Sequence, residues 1–310
     1  MIIETFALSK DYGSTKAVRD LNLRVPAGGV SAFLGPNGHG KTSTIKMLLG
    51  LTHPTAGRGE VMGLSITEPK ASVAIRQRTG FVSEDKQMYG FMTVQQVIAF
   101  TRGLYPKWRP DRERDLLKVF ELPGDRLVKS LSKGMRTKLA LLLALSRGAD
   151  LLILDEPSEG LDPVATEIML QQVVVAASDG ATVFFSSHQL AEAERIADRI
   201  FLIVRGRLSL EGGLDEIRQR YRRVNAVFLR EPPIGQWRDD FVESISCQGN
   251  SCSLLVRDEA DRVIAHLHSL AAVSVEVHAV DLRELFLAHA QKRSEERRVG
   301  KQFIYRWSPY

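Results

Sequence analysis

The sequence predicts an α/β fold, and three observations carry that expectation. Short, continuous apolar runs recur at 28–35, 151–155 and 182–186. Stretches with apolar residues at helical spacing separate them. Runs of this kind mark strands of a sheet covered on both faces, and alternation with helices gives a largely parallel sheet.

In chain order, GGVSAFLG (28–35) reads as a buried strand ending in a glycine turn. KTSTIKMLLGL (41–51) then carries apolar residues at helical spacing. Between Thr93 and Gly148 there are helical patterns and almost no strand signal, so a helical insertion between sheet strands is expected. LLILD (151–155) and TVFFS (182–186) are two more buried strands. RIFLIVRGRLSLEG (199–212) reads as a closing hairpin around Arg205-Gly206.

Composition shifts after Gly213, and a small α+β appendage is expected over 213–292, after a first domain of 1–212. LDEIRQRYRR reads as a charged helix, and Pro232-Pro233 marks a loop. VESISCQ and CSLLVRD read as strands flanking the turn residues Gly249-Asn250. DRVIAHLHSL is an amphipathic helix, SVEVHAV a strand, and DLRELFLAHAQ a last helix with Asp281 as its N-cap. His266 and His268 stand two apart on a helix and do not share a face, so no metal site is expected there.

The composition bounds the function classes. At 310 residues the chain suits about two domains at roughly 150 residues each. Hydrophobic residues make up 44% and charged residues 25%, ordinary values for a globular protein rather than a disordered or fibrous one. The N-terminus lacks a basic head before a long apolar stretch, so no signal peptide is expected. The longest strongly apolar run, LALLLALS (139–146), is far short of the roughly 18–20 residues of a membrane span. Two cysteines, Cys247 and Cys252, form no CxxC pair, and a reducing compartment is the expectation. A formal charge of +5 is low for a nucleic-acid protein, and no nucleic-acid partner is expected. The arginines at 218, 220, 222 and 223 read as a solvated helix end, with lipid headgroups or a partner protein as the alternative.

Chemistry concentrates in a few motifs. Gly35-Pro36-Asn37-Gly38-His39-Gly40-Lys41-Thr42, followed by Ser43, fits G-x-x-x-x-G-K-[ST] between an expected strand and an expected helix. The glycines let successive backbone N–H groups turn inward on an anion, and the helix N-terminus adds partial positive charge. Lys41 can reach β- and γ-phosphates, and Thr42 can ligate Mg²⁺. LLILDEP (151–157) delivers Asp155 and Glu156 at the carboxyl end of a strand, where open α/β sheets place ligands. Asp155 is suited to hold Mg²⁺, and Glu156 to polarise the attacking water as general base.

LSKGM (131–135) lies before the helical run RTKLALLLALS and about 20 residues before Asp155. It resembles the signature motif of ATP-binding cassette (ABC) ATPases, usually written LSGGQ, with Lys133 for the middle glycine and Met135 for the glutamine. The resemblance covers 2–212 and implies a P-loop NTPase core of ABC type. It implies further roles: Tyr12 stacks on adenine, Glu84 takes the Q-loop position, Asp162 in SEGLD belongs to the D-loop facing the partner subunit, and His188 is the switch histidine. Ser132 and Gly134 are the signature residues used against the γ-phosphate. Two subunits would sandwich two ATP molecules head to tail, each held by one P-loop and one signature, as a homodimer or heterodimer. With Mg²⁺ and ATP as cofactors, such a subunit would drive separate transmembrane permease subunits from the cytoplasmic face of the membrane. The segment 213–292 resembles the extension of single-cassette ATPases serving ABC-2-type exporters. The alternatives are a degenerate or regulatory cassette paired with an active partner, and a soluble ABC protein.

Residues 293–310, RSEERRVGKQFIYRWSPY, continue neither the last helix nor any strand pattern. They resemble translated sequencing adapter, differing from it only at Gln302, Phe303, Ile304 and Tyr305. They are expected to be a non-native tail that packs on nothing.

Overall fold

The computed structural model describes residues 1–230, 232 and 241–289. Pro233 and the whole of 293–310 lie outside the described residues. Two compact units divide the chain, Met1–Glu211 and the residues from Gly212 onward.

The first unit stacks two sheets. An antiparallel one is built from β1 (Ile3–Tyr12), β2 (Thr15–Leu21), β3 (Arg24–Val25), β5 (Ala56–Val61) and β6 (Leu64–Ser65). Its order is β2-β1-β5-β6, with β3 also on β1. These strands carry charged residues such as Lys10, Asp11, Arg19 and Asp20 on their open side, and no continuous apolar run marks them. The second sheet has six strands in the order β11-β10-β4-β9-β8-β7. They are β4 (Val30–Leu34), β7 (Thr79–Val82), β8 (Leu151–Asp155), β9 (Thr182–Ser187), β10 (Arg199–Val204) and β11 (Arg207–Gly213). From β10 through β4, β9 and β8 to β7 every pairing is parallel. Strands β4, β8 and β9 are buried along their full length, which is why each reads as an unbroken apolar run.

Helix α1 (Lys41–Leu48) lies in the core between the sheets. Its Ile45 and Leu48 pack with Ile3, Leu8 and Val18 from the antiparallel side and with Phe33, Ile153 and Phe184 from the parallel sheet. Phe33 stacks on Phe184 at 5.3 Å between ring centroids, within the range of favourable aromatic pairs. Helix α2 (Pro69–Arg78) leads into β7. Between β7 and β8 the chain forms α3 (Val94–Arg102), α4 (Pro110–Val119) and α5 (Lys133–Leu145), a helical insertion. Thr93 and Gln96 close a capping box at the start of α3, each side chain taking the other's backbone N–H. Helices α6 (Pro163–Ser178) and α7 (Leu190–Ile196) link β8 to β9 and β9 to β10.

The second unit opens with α8 (Leu214–Arg220). The expected helix LDEIRQRYRR stops there, and β12 (Tyr221–Phe228) takes over. Tyr221, Val224, Ala226 and Phe228 are buried, and β12 lies between two partners, so tertiary pairing overrides the local helical pattern. The sheet order is β13-β14-β12-β15, all antiparallel, with β13 (Val242–Gln248), β14 (Ser251–Arg257) and β15 (Ala272–Ala279). Helix α9 (Ala260–Ser269) buries Val263 and Leu267 against Val224, Leu254 and Val256. A last helix, α10, runs over 282–289, and Asp281 caps it by accepting the Glu284 N–H at 2.7 Å. The arginines expected at one solvated helix end split between α8 and β12, where Arg220 pairs with Asp258 and Arg223 with Glu284. Cys247 and Cys252 stand opposite each other across the β13–β14 hairpin and form a disulfide, not the two thiols expected. The pairing follows from the hairpin register around Gly249-Asn250, which a search for CxxC spacing does not test.

Candidate active site

The carboxyl ends of four neighbouring parallel strands, β4, β9, β8 and β7, deliver the site. After Leu34 the chain runs through Gly35, Pro36, Asn37, Gly38, His39 and Gly40 into α1. Gly40 is left-handed (φ +100°), and a Cβ there would lie 2.4 Å from the Ala17 carbonyl, so only glycine fits. This puts the loop's backbone amides and the N-terminus of α1 at one point, suited to anionic oxygens. A cleft of about 310 Å³ opens there, lined by Asn37, Gly38, Gly40, Lys41, Thr42 and Ser43, with Ala17, Glu84 and Glu156 opposite.

Lys41 is buried, and its Nζ donates to the Gly35 carbonyl at 2.7 Å and lies 3.4 Å from both Pro36 O and Asn37 Oδ1. It also forms an ion pair with Glu156 Oε1 at 3.0 Å. The other carboxylate oxygen of Glu156 lies 2.8 Å from His188 Nδ1. Glu156 itself has a left-handed backbone (φ 47°), a costly conformation for glutamate that the surrounding bonds hold. Its N–H donates to Ser186 Oγ at 3.1 Å, and Ser186 in turn donates to Asp155 Oδ1 at 2.5 Å. Ser186 is thus a positioning residue that sequence reasoning missed; its signal was the serine pair at the end of an otherwise apolar strand in FFSSHQ.

Thr42 Oγ1 donates to Glu84 Oε2 at 3.2 Å and stands beside Asp155. Burial pushes the Asp155 carboxyl above the usual carboxylate range, and the hydroxyls of Ser186 and Thr42 temper the shift. Thr42, Glu84 and Asp155 present hydroxyl and carboxylate oxygens to one point, a hard donor set that fits Mg²⁺. Among the described residues no cluster of three or more His, Cys, Asp or Glu suits a metal. His39 is tied elsewhere: its Nδ1 accepts the Arg205 N–H at 3.2 Å, and its carbonyl accepts the Gly206 N–H at 3.2 Å. Burial first, then the charges of Arg205 and Lys41, holds its imidazole below the usual histidine range.

The remaining expected residues lie away from this cleft. Ser132 caps α5 by accepting the Met135 N–H at 3.2 Å. Gly134 packs against the segment after Glu156, where a Cβ would stand 2.8 Å from the Gly160 carbonyl. Lys133 bridges to Glu159 at 2.5 Å, and Asp162 caps α6 by accepting the Ala165 N–H at 2.8 Å. Ser132, Gly134 and Asp162 thus form a second group around the 158–162 segment. Tyr12 ends β1, 48% exposed as a residue, with the Lys10 ammonium 5.1 Å from its ring centroid.

A glycine loop between a buried strand and a helix, with paired carboxylates at the end of the parallel strand next but one, defines a P-loop nucleotide-binding protein. Residues 18–159 match the ABC transporter family. The bacitracin transport ATP-binding protein BcrA of Bacillus licheniformis is 35% identical over 72% of this chain and 73% of its own length. The Nod factor export ATP-binding protein I of Cupriavidus metallidurans is 32% identical over 92% of this chain and 96% of its own. An uncharacterised ABC transporter ATP-binding protein of Synechocystis is 31% identical over 70% of this chain, which spans 64% of that relative's length. A solved ATP-binding subunit of an ABC transporter is 29% identical with a TM-score of 0.65, covering 71% of this chain and 92% of the solved one. The chain belongs to the ABC transporter ATP-binding proteins.

Proposed function

We propose that the chain is the ATP-hydrolysing subunit of a membrane exporter. It would work as a dimer of such subunits docked to separate transmembrane subunits on the cytoplasmic face of the membrane. The observation that carries this reading is Glu156. It stands between Lys41 and His188 in the lining of the cleft of about 310 Å³, with Ser186 fixing its backbone. Export is supported by the name of the Nod factor export relative above. No helix among the described residues is long and apolar enough to cross a membrane, so a membrane path would come from other chains.

The geometry gives each residue a task. The loop amides and Lys41 bind the phosphates, and in doing so Lys41 exchanges the Glu156 carboxylate for phosphate oxygens. That exchange frees Oε1 of Glu156 to take a proton from the attacking water, while His188 holds the other oxygen. Thr42, Asp155 and Glu84 are the residues that would hold Mg²⁺, which when bound screens the phosphate charge. Ser132 and Gly134 open a helix whose N-terminus would meet a phosphate from a second subunit. Tyr12 offers an open ring to the adenine. An exposed aromatic group follows Glu84 in the chain, with Tyr89 5.8 Å from Phe91 and 5.7 Å from Phe100 between ring centroids. Such a patch suits contact with a transmembrane subunit.

The test is phosphate release by the purified chain, titrated with Mg²⁺, beside the Glu84→Gln variant. The wild type is expected to hydrolyse ATP and to need Mg²⁺ more strongly than the variant, because the carboxylate adds negative charge near the γ-phosphate. Superimposable Mg²⁺ curves would assign Glu84 instead to a basic residue of the transmembrane subunit. Absence of wild-type turnover with tight ATP binding would point to a regulatory cassette.

A further inference from the structure

Lys86 is a buried cation that the steps above leave unused. It is 6% exposed and sits at a left-handed backbone position (φ 47°) two residues after Glu84. Its own N–H donates to Ser83 Oγ at 3.2 Å. Its Nζ donates to two backbone carbonyls, Glu84 O at 3.2 Å and Glu156 O at 3.3 Å. Lysine is almost never this buried without a strong reason, since taking an ammonium from water is costly. Glu159, Asp155 and Glu84 face it with negative charge and Lys133 with positive charge.

We propose that Lys86 is a positioning residue for ATP hydrolysis, pinning the main chain of Glu156 to the loop that carries Glu84. The inference rests on the reading of Glu156 as the base. In the free chain the Glu156 side chain is held by Lys41 and His188. Once Lys41 turns to the phosphates, that side-chain restraint is halved. The Ser186 bond to the Glu156 N–H and the Lys86 bond to its carbonyl remain, and the Glu159 N–H joins at 3.2 Å. Of these, Lys86 alone reaches across from the loop of Glu84, so a shift in that loop is felt at the base. The same loop leads to Tyr89 and Phe91, so docking there reaches Glu156 through one side chain.

The test compares the full-length wild type with Lys86→Met and Lys86→Arg. Lys86→Met keeps the length and apolar stem but removes the donors. Its kcat is expected to fall about ten- to hundredfold with the KM for ATP within about twofold, since small misplacement of a reacting group costs up to roughly 10²-fold. Lys86→Arg restores the donors and should recover most of the rate. Deuterium exchange in the 154–160 segment should rise in Lys86→Met and not in Lys86→Arg. A Lys86→Met kcat within about twofold of wild type overturns the proposal. So does an equal loss through KM, which would mark a binding role. If Lys86→Met does not fold, Lys86→Leu, which also lacks donors, takes its place with the same two outcomes. If the wild type itself turns over no ATP, the hydrolysis reading fails, and the exchange measurement still decides the clamp: unchanged exchange in Lys86→Met overturns it.

Discussion

Glu156→Gln is expected to bind ATP and barely turn it over, with kcat down by about 10²–10⁴-fold, the usual cost of losing a general base. Glutamine keeps the size and can still meet Lys41 and His188, so the cleft stays formed. What is lost is the acceptor for the water's proton at the oxygen that Lys41 covers in the free chain. With hydrolysis stopped, the phosphates remain bound, and the variant should accumulate as an ATP-bound dimer on size-exclusion chromatography. Turnover near the wild-type rate would remove Glu156 from the role.

Lys41→Ala should fail earlier, at binding. A hydrogen bond to a charged group contributes about 1.5–3 kcal/mol, so ATP affinity should drop by about ten- to hundredfold, read by titration of the purified variant. The same change strips Glu156 of its buried counter-charge. Removing one partner of a buried pair costs about 3–5 kcal/mol when the other charge has nowhere to go. Here His188, 2.8 Å from the other carboxylate oxygen, absorbs part of it. A lower melting temperature is therefore expected alongside the weaker binding. Wild-type ATP affinity in a folded Lys41→Ala chain would contradict the assignment.

The parallel sheet was legible because its strands are buried on both faces and so spell themselves as VSAFL, LLILD and TVFFSS. The antiparallel sheet was not. In β1 and β2 the positions outside the core hold Lys10 and Asp11, both half-buried, and the exposed Lys16, Arg19 and Asp20, and the apolar residues are too few to stand out. Strand β12 was hidden for another reason: RQRYRR is locally helix-like, and only pairing with β14 and β15 makes its second half a strand. The chemistry was more legible than the fold, because phosphate binding demands glycines and a lysine at fixed spacing. The residues that sit behind the site gave no such signal. Ser186 and Lys86 act through backbone groups of Glu156, and nothing in sequence spacing ties Lys86 to a residue 70 positions away. The pairing of Lys133, which stands at the signature's middle glycine, with Glu159 likewise joins residues 26 positions apart.

Each ATP is expected to be hydrolysed between the glycine loop of one subunit and the Ser132–Gly134 helix of another. The structure already separates these groups within one chain: Lys41, Thr42 and Glu156 line the cleft, while Gly134 packs against Gly160. Mixing two inactive variants tests this directly. Lys41→Ala spoils the loop and leaves the helix intact; Gly134→Asp spoils the helix and leaves the loop intact. In a mixed dimer one site carries both defects and the other carries none. ATPase activity of the mixture is therefore expected to rise well above that of either variant alone. A mixture that forms dimers and stays as inactive as its components would contradict the account.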